Sequence, residues 1–218
     1  MSTNHRLFGK KQTPLRVHMD EDEAVDQLAA QLKSMTEAYV RRDLVIVCIG
    51  TDRSTGDALG PLTGTLLEQQ HLRRFHVYGT LENPVHAVNL EERLDTIRTN
   101  HPRSFILAID ACLGRLASVG KISLAEGPVM PGAAVQKKLP AIGDIHITGI
   151  VNIGGMMEYF VLQNTRLYTV MQMAKTIASS ITKADECLPE KITSPSLFHS
   201  LRSKSPQILA QSKKETPM

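Results

Sequence analysis

Two aspartates carry the strongest chemical signal in this chain of 218 residues. Asp57 lies in a glycine-rich stretch, Gly50-Thr-Asp-Arg-Ser-Thr-Gly-Asp57-Ala-Leu-Gly60-Pro61, and Asp110 ends the apolar run Phe-Ile-Leu-Ala-Ile that starts at Phe105. Two carboxylates held close together cannot both ionise cheaply, so one keeps a proton. Such a pair can activate a water and protonate a leaving amine. The same pair can hold a divalent metal, and His146, in Asp144-Ile-His146-Ile-Thr148, would complete a three-ligand set of mixed N and O type. Cys112 with His146 is a further arrangement, a nucleophile with its base, but no third group is in view to orient it. Each residue also has a plainer role open to it: an Asp that caps a helix or closes a turn, a His packed in a strand, a small buried Cys. Arg53 is of the type that holds a substrate carboxylate. Glu82 falls in the loop after the second expected strand. Pro131-Gly132-Ala133-Ala134 makes a bend that can present backbone N–H groups to a carbonyl oxygen.

These residues depend on the elements that hold them. Leu44 to Gly50 is an unbroken apolar run closed by glycine, which reads as a strand buried on both faces, as in a parallel sheet. Further strands are expected at 75–80, 104–110, 121–125 and 144–151, with helices at 20–40, 58–71, 88–100, 155–164 and 165–182. In the helix over 20–40, Val25, Leu28, Leu32, Met35 and Tyr39 recur at helical spacing and acidic residues crowd the first turn. The alternation of strand and helix calls for a three-layer α/β/α sandwich with a mostly parallel sheet. Asp57 and Asp110 then follow the first and third strands, at the carboxyl edge where open α/β sheets bind ligands. Gly56, Gly60 and Gly64 are spaced by four, which suits a helix lying close against the sheet. Neither a P-loop nor a dinucleotide fingerprint is present. Residues 1–19 read as a disordered leader, 20–182 as a single α/β domain, and 183–218, with four of the 11 prolines, as a disordered tail.

Composition narrows the function further. Between residues 44 and 181 there are 12 basic and 11 acidic side chains, so the formal charge of +3 marks no basic face. Aromatic residues make up 4% and Trp is absent, which removes a base-stacking platform. Both points argue against nucleic acid as the partner. No apolar run reaches the roughly 18 residues of a membrane span, and three scattered cysteines fit a reducing cytosol. The Met-rich stretch 156–173 reads as a packing surface and a candidate face for a homo-oligomer.

The motifs also resemble a known group. Thr55-Gly-Asp57-Ala-Leu-Gly60-Pro61 resembles the Asp-Ala-Leu-Gly-Pro motif of the germination proteases of spore-forming bacteria. Leu107-Ala-Ile-Asp110-Ala111 resembles their second acidic motif, and Pro131-Gly132-Ala133-Ala134-Val135 followed by Lys137-Lys138 resembles their Pro-Gly loop. The run from Cys48 to Gly64 is similar to the YyaC-type sporulation proteins related to those proteases. The resemblance covers residues 44–181. It implies a phosphorylase/hydrolase-like fold shared with the hydrogenase maturation endopeptidases, a cytoplasmic setting in the mother cell or forespore, and hydrolysis of a peptide bond in a protein substrate such as the small acid-soluble spore proteins. Asp57 and Asp110 become the catalytic pair, with Arg53, Glu82, Pro131 and Gly132 toward substrate and no cofactor required. The hydrogenase-maturation version of the resemblance implies instead a divalent metal at Asp57, Asp110 and His146.

Overall fold

The computed structural model describes residues 13–132 and 139–191. Six strands form one sheet: β1 (Leu15–His18), β2 (Leu44–Cys48), β3 (Phe75–Tyr78), β4 (Phe105–Gly114), β5 (Lys121–Glu126) and β6 (Ile145–Ile153), in the order β1-β5-β6-β4-β2-β3. β2 runs parallel to β3 and β4, and β4 runs parallel to β6. β5 is antiparallel to β6, and β1 to β5. The helices are α1 (Ala24–Thr36), α2 (Leu59–Glu68), α3 (Leu90–Asn100), α4 (Glu158–Gln163) and α5 (Leu167–Cys187).

The apolar runs explain the layering. All five residues of β2 are buried, because both of its faces are covered. Leu44, Ile46 and Cys48 join Leu107, Ile109 and Ile147 in a core closed by α1, α2 and α5. Val45, Val47 and Ala108 point the other way, into a smaller core under Leu90, Leu94 and Ile97 of α3. Among the described residues α3 is the long helix of that second face, where it packs over β2 and Ala108 of β4. The α/β/α class of the sequence reading holds, with unequal outer layers.

The close helix expected from the glycine spacing is present. A Cβ on Gly60 would lie 2.1 Å from the Ile49 carbonyl oxygen, and one on Gly64 would lie 2.2 Å from that of Gly79. Only a missing side chain lets α2 sit this low on the sheet.

Three expectations change. Residues 1–19 read as a leader, yet Leu15–His18 form an edge strand whose Val17 is buried against the core. The expected helix over 20–40 is shorter, α1 being followed by a 3-10 turn at Glu37–Tyr39. A tail is expected from 183, yet α5 continues to Cys187, and residues 192–218 lie outside the described residues. Buried Asp185 fixes that end: its carboxylate accepts the backbone N–H groups of Arg73 and Arg74, both at 2.8 Å. Four residues of an unremarkable alternation, and a helix end secured by a carboxylate 112 positions from its partner, leave little local signal.

Candidate functional site

The chain reverses direction across the sheet at β2: β3 lies on one side of it and β4 on the other. Such a switch point opens a crevice beyond the carboxyl ends of the strands. Here the crevice is a cavity of about 630 Å³, and Asp57 and Asp110 both line it.

The loop that carries Asp57 is folded back on itself. The Thr51 N–H donates to the Asp57 carbonyl at 3.2 Å, and Gly50 N–H donates to the Val85 carbonyl at 2.8 Å. Gly50 has φ +146°, and a Cβ there would fall 1.9 Å from the Asp57 carbonyl oxygen. A side chain at 50 would therefore unseat the aspartate. Asp110 is fixed by the ladder, opposite Thr148 of β6, and beyond Cys112 the register shifts because β6 carries an extra residue, Val151, between the partners of Cys112 and Leu113.

Electrostatics separate the two carboxyls. Burial pushes Asp110 up, the Asp57 charge pushes it further, and an Ala111 backbone hydrogen bond offsets part of this, leaving it at about 8. Burial also raises Asp57, while the neighbouring Ser54 hydroxyl pulls it back down. The Ser54 Oγ is buried and meets no partner at full hydrogen-bond geometry, so it stands available to a carboxylate that shifts toward it. At neutral pH Asp110 holds its proton, which is the division expected of an acid–base pair. Cys112 shares the cavity, but burial and the Asp110 charge push its thiol up to about 11. That keeps it protonated and a poor nucleophile.

The remaining candidates divide. Exposed Arg53 lies at the cavity, as do Pro131 and Gly132, brought there because Val129 and Ile142 pair across the connection from β5 to β6. Ala133 and Ala134 lie outside the described residues. Glu82 is exposed on its loop and does not line the cavity; the chain after β3 first reaches it at His86, because Val85 bridges to Ile49 at the end of β2.

His146 also falls elsewhere. It pairs with Ala108, two residues before the level of Asp110, about 6–7 Å down the strand. Its Nδ1–H donates to the Gly127 carbonyl at 2.8 Å, and it lines a separate hollow with Arg16 and Ser123. Asp57, Asp110 and His146 are therefore not brought together as a three-ligand set. A metal held by these three residues does not fit the site, and neither does a Cys112–His146 pair.

The sequence reading missed His86, Thr148 and Glu158, all of which line the cavity. Thr148 had a signal, its place in the motif beside His146. Glu158 stands at the start of α4 after Met157, which takes φ +55°, and no local pattern announces that turn. No helix among the described residues is long and apolar enough to cross a membrane.

Comparison with known proteins bears on the fold and the family. The solved structure of the NiFe hydrogenase maturation protease HycI from Thermococcus kodakarensis KOD1 superposes with a TM-score of 0.51 at 18% identity, covering 72% of this chain and 99% of that one. It shares the fold. A protein of Bacillus subtilis (strain 168), "Uncharacterized protein YyaC", is 54% identical over 162 residues, covering 74% of this chain and 79% of that protein. The family described as "Protein of unknown function (DUF1256)" matches residues 16–180, and the chain belongs to that family.

Proposed function

We propose that the protein is an endopeptidase-like hydrolase in which Asp57 and Asp110 divide one catalytic proton between them. The observation that carries this is the meeting of the two carboxyls in one cavity, with Asp110 held at about 8 by burial and by the Asp57 charge. In this mechanism protonated Asp110 hydrogen-bonds to the scissile carbonyl oxygen. Ionised Asp57 takes a proton from the attacking water, and the Asp110 proton passes to the leaving nitrogen. Arg53 holds a substrate carboxylate at the rim. Ile49, Val88, Val129, Met130 and Leu139 give the cavity an apolar wall for a substrate side chain. The substrate is a small protein of a sporulating cell, with small acid-soluble spore proteins as the first choice. That choice, and the cytoplasmic setting, rest on the resemblance to the germination proteases and YyaC-type proteins. The HycI fold supports a peptidase-like scaffold and no particular substrate.

A second reading has its own observation. Met156 is 86% exposed, Met157 65%, Phe160 54% and Tyr159 52%, on the segment whose Glu158 and Leu162 line the cavity. Such a patch suits a protein partner or a second copy of the chain, which would make the fold an interaction module.

The pH profile of cleavage tests the first reading. The rate is expected to fall as pH rises through about 8, because Asp110 loses its proton there. A chelator and His146→Ala are expected to leave it unchanged. A rate that climbs steadily beyond pH 9, or that vanishes with chelator, contradicts the aspartate pair.

A further inference from the structure

A second cluster of chemical groups lies at the opposite edge of the sheet, where β2 and β3 begin. Asp43 immediately precedes β2, His76 is in β3, and His101 follows α3. One ligand atom from each lies within 4.8 Å of the others. We propose that Asp43, His76 and His101 form a site for a divalent transition ion of the zinc class, separate from the Asp57–Asp110 cavity and independent of the peptidase reading.

The distances support it. His101 Nδ1 stands 3.3 Å from Asp43 Oδ2, and His76 Nε2 stands 3.7 Å from Asp43 Oδ1. A tetrahedral ion with bonds of about 2.0–2.1 Å holds its ligand atoms about 3.3–3.4 Å apart, so small ring rotations suffice. Two imidazoles and a carboxylate are a common zinc donor set that leaves the fourth position open. An independent feature points the same way. The outer nitrogen of His101, Nε2, lies 2.9 Å from the Tyr78 hydroxyl. A histidine that binds metal through Nδ1 carries its proton on Nε2 and needs such an acceptor to fix its tautomer and ring plane.

The charge now facing the site is Lys191, whose Nζ lies 2.5 Å from Asp43 Oδ1. It follows α5 in a short segment that Arg73 and Arg74 hold through the carbonyls of Leu188 and Pro189. The ion and the Lys191 ammonium compete for one carboxylate, so metal binding frees Lys191 from its anchor.

Titration of the full chain with Co²⁺, read by visible absorption and followed by displacement with Zn²⁺, tests this. Wild type is expected to give one equivalent with a tetrahedral spectrum. His76→Ala and His101→Ala are each expected to lose it, weakening Zn²⁺ binding by about 100-fold or more. Lys191→Met is expected to bind several-fold tighter. His76 is exposed, so His76→Ala keeps the fold, which circular dichroism verifies. A spectrum unchanged in both histidine variants, or no tetrahedral cobalt in wild type, overturns the site; equal affinity in Lys191→Met overturns the competition.

Discussion

Asp110→Asn is expected to abolish peptide hydrolysis and, at pH 8, to make the protein more stable than wild type. Asparagine keeps the size of the carboxyl but neither gives nor takes a proton in the reaction. Loss of a general acid costs about 10²–10⁴-fold in rate. The gain in stability follows from the same burial that raises Asp110 to about 8 from the ordinary 3.8. Between those two values the folded state keeps a proton that the unfolded chain has lost, so stability falls as pH rises through that window. The contribution is fully present below about pH 4 and is gone once pH has passed the folded-state value. Asparagine has no such dependence. Thermal melts from pH 4 to 9 should therefore show a decline in wild type that is flatter in Asp110→Asn. Parallel curves would mean that Asp110 is no more buried in charge terms than a surface carboxylate, and the acid–base assignment would lose its basis.

Gly60→Ala is expected to destabilise the protein severely and to disable the site with it. The added Cβ would stand 2.1 Å from the Ile49 carbonyl oxygen and 2.7 Å from its nitrogen. Neither atom can retreat, because Ile49 N–H donates to the Ile109 carbonyl at 2.7 Å in the middle of the sheet. The helix must lift instead, opening the core beneath Leu59 and Leu67 and moving the loop that carries Asp57. Forced overpacking of this kind costs about 3 kcal/mol or more, or about 6–12 °C in Tm for a domain of this size. Gly127→Ala is the control. Gly127 has φ +90° and nothing within 4 Å of an added Cβ, so only backbone strain of about 1–2 kcal/mol applies. If the two variants melt together, α2 is not seated on the sheet as described.

How far the sequence could be read depends on the range of each signal. β2 was legible because burial on both faces leaves a continuous apolar run, and Gly60 and Gly64 because a helix close to a sheet needs small residues at every turn. Asp57 and Asp110 could be placed at one edge because Asp57 lies in the loop between β2 and α2 and Asp110 follows the apolar run of β4, although β4 continues past it to Gly114. His146 shows the limit. Its strand was evident, but whether it stands level with Asp110 depends on the register of β6 against β4, which is set by packing between strands 30-odd residues apart in the chain. Glu82 fails for a similar reason: the bridge from Val85 to Ile49 decides which part of the loop after β3 reaches the cavity. The Asp43–His76–His101 cluster was invisible because its members come from three separate segments with no common spacing.

The central proposal is that the cavity cleaves a peptide bond through its aspartates. The most direct measurement is intact-mass analysis of small acid-soluble spore proteins incubated with wild type and with Asp57→Asn, each with and without chelator. Discrete fragments are expected from wild type in both conditions and none from a folded Asp57→Asn. Fragments that persist in Asp57→Asn, or that disappear only when chelator is present, would contradict it.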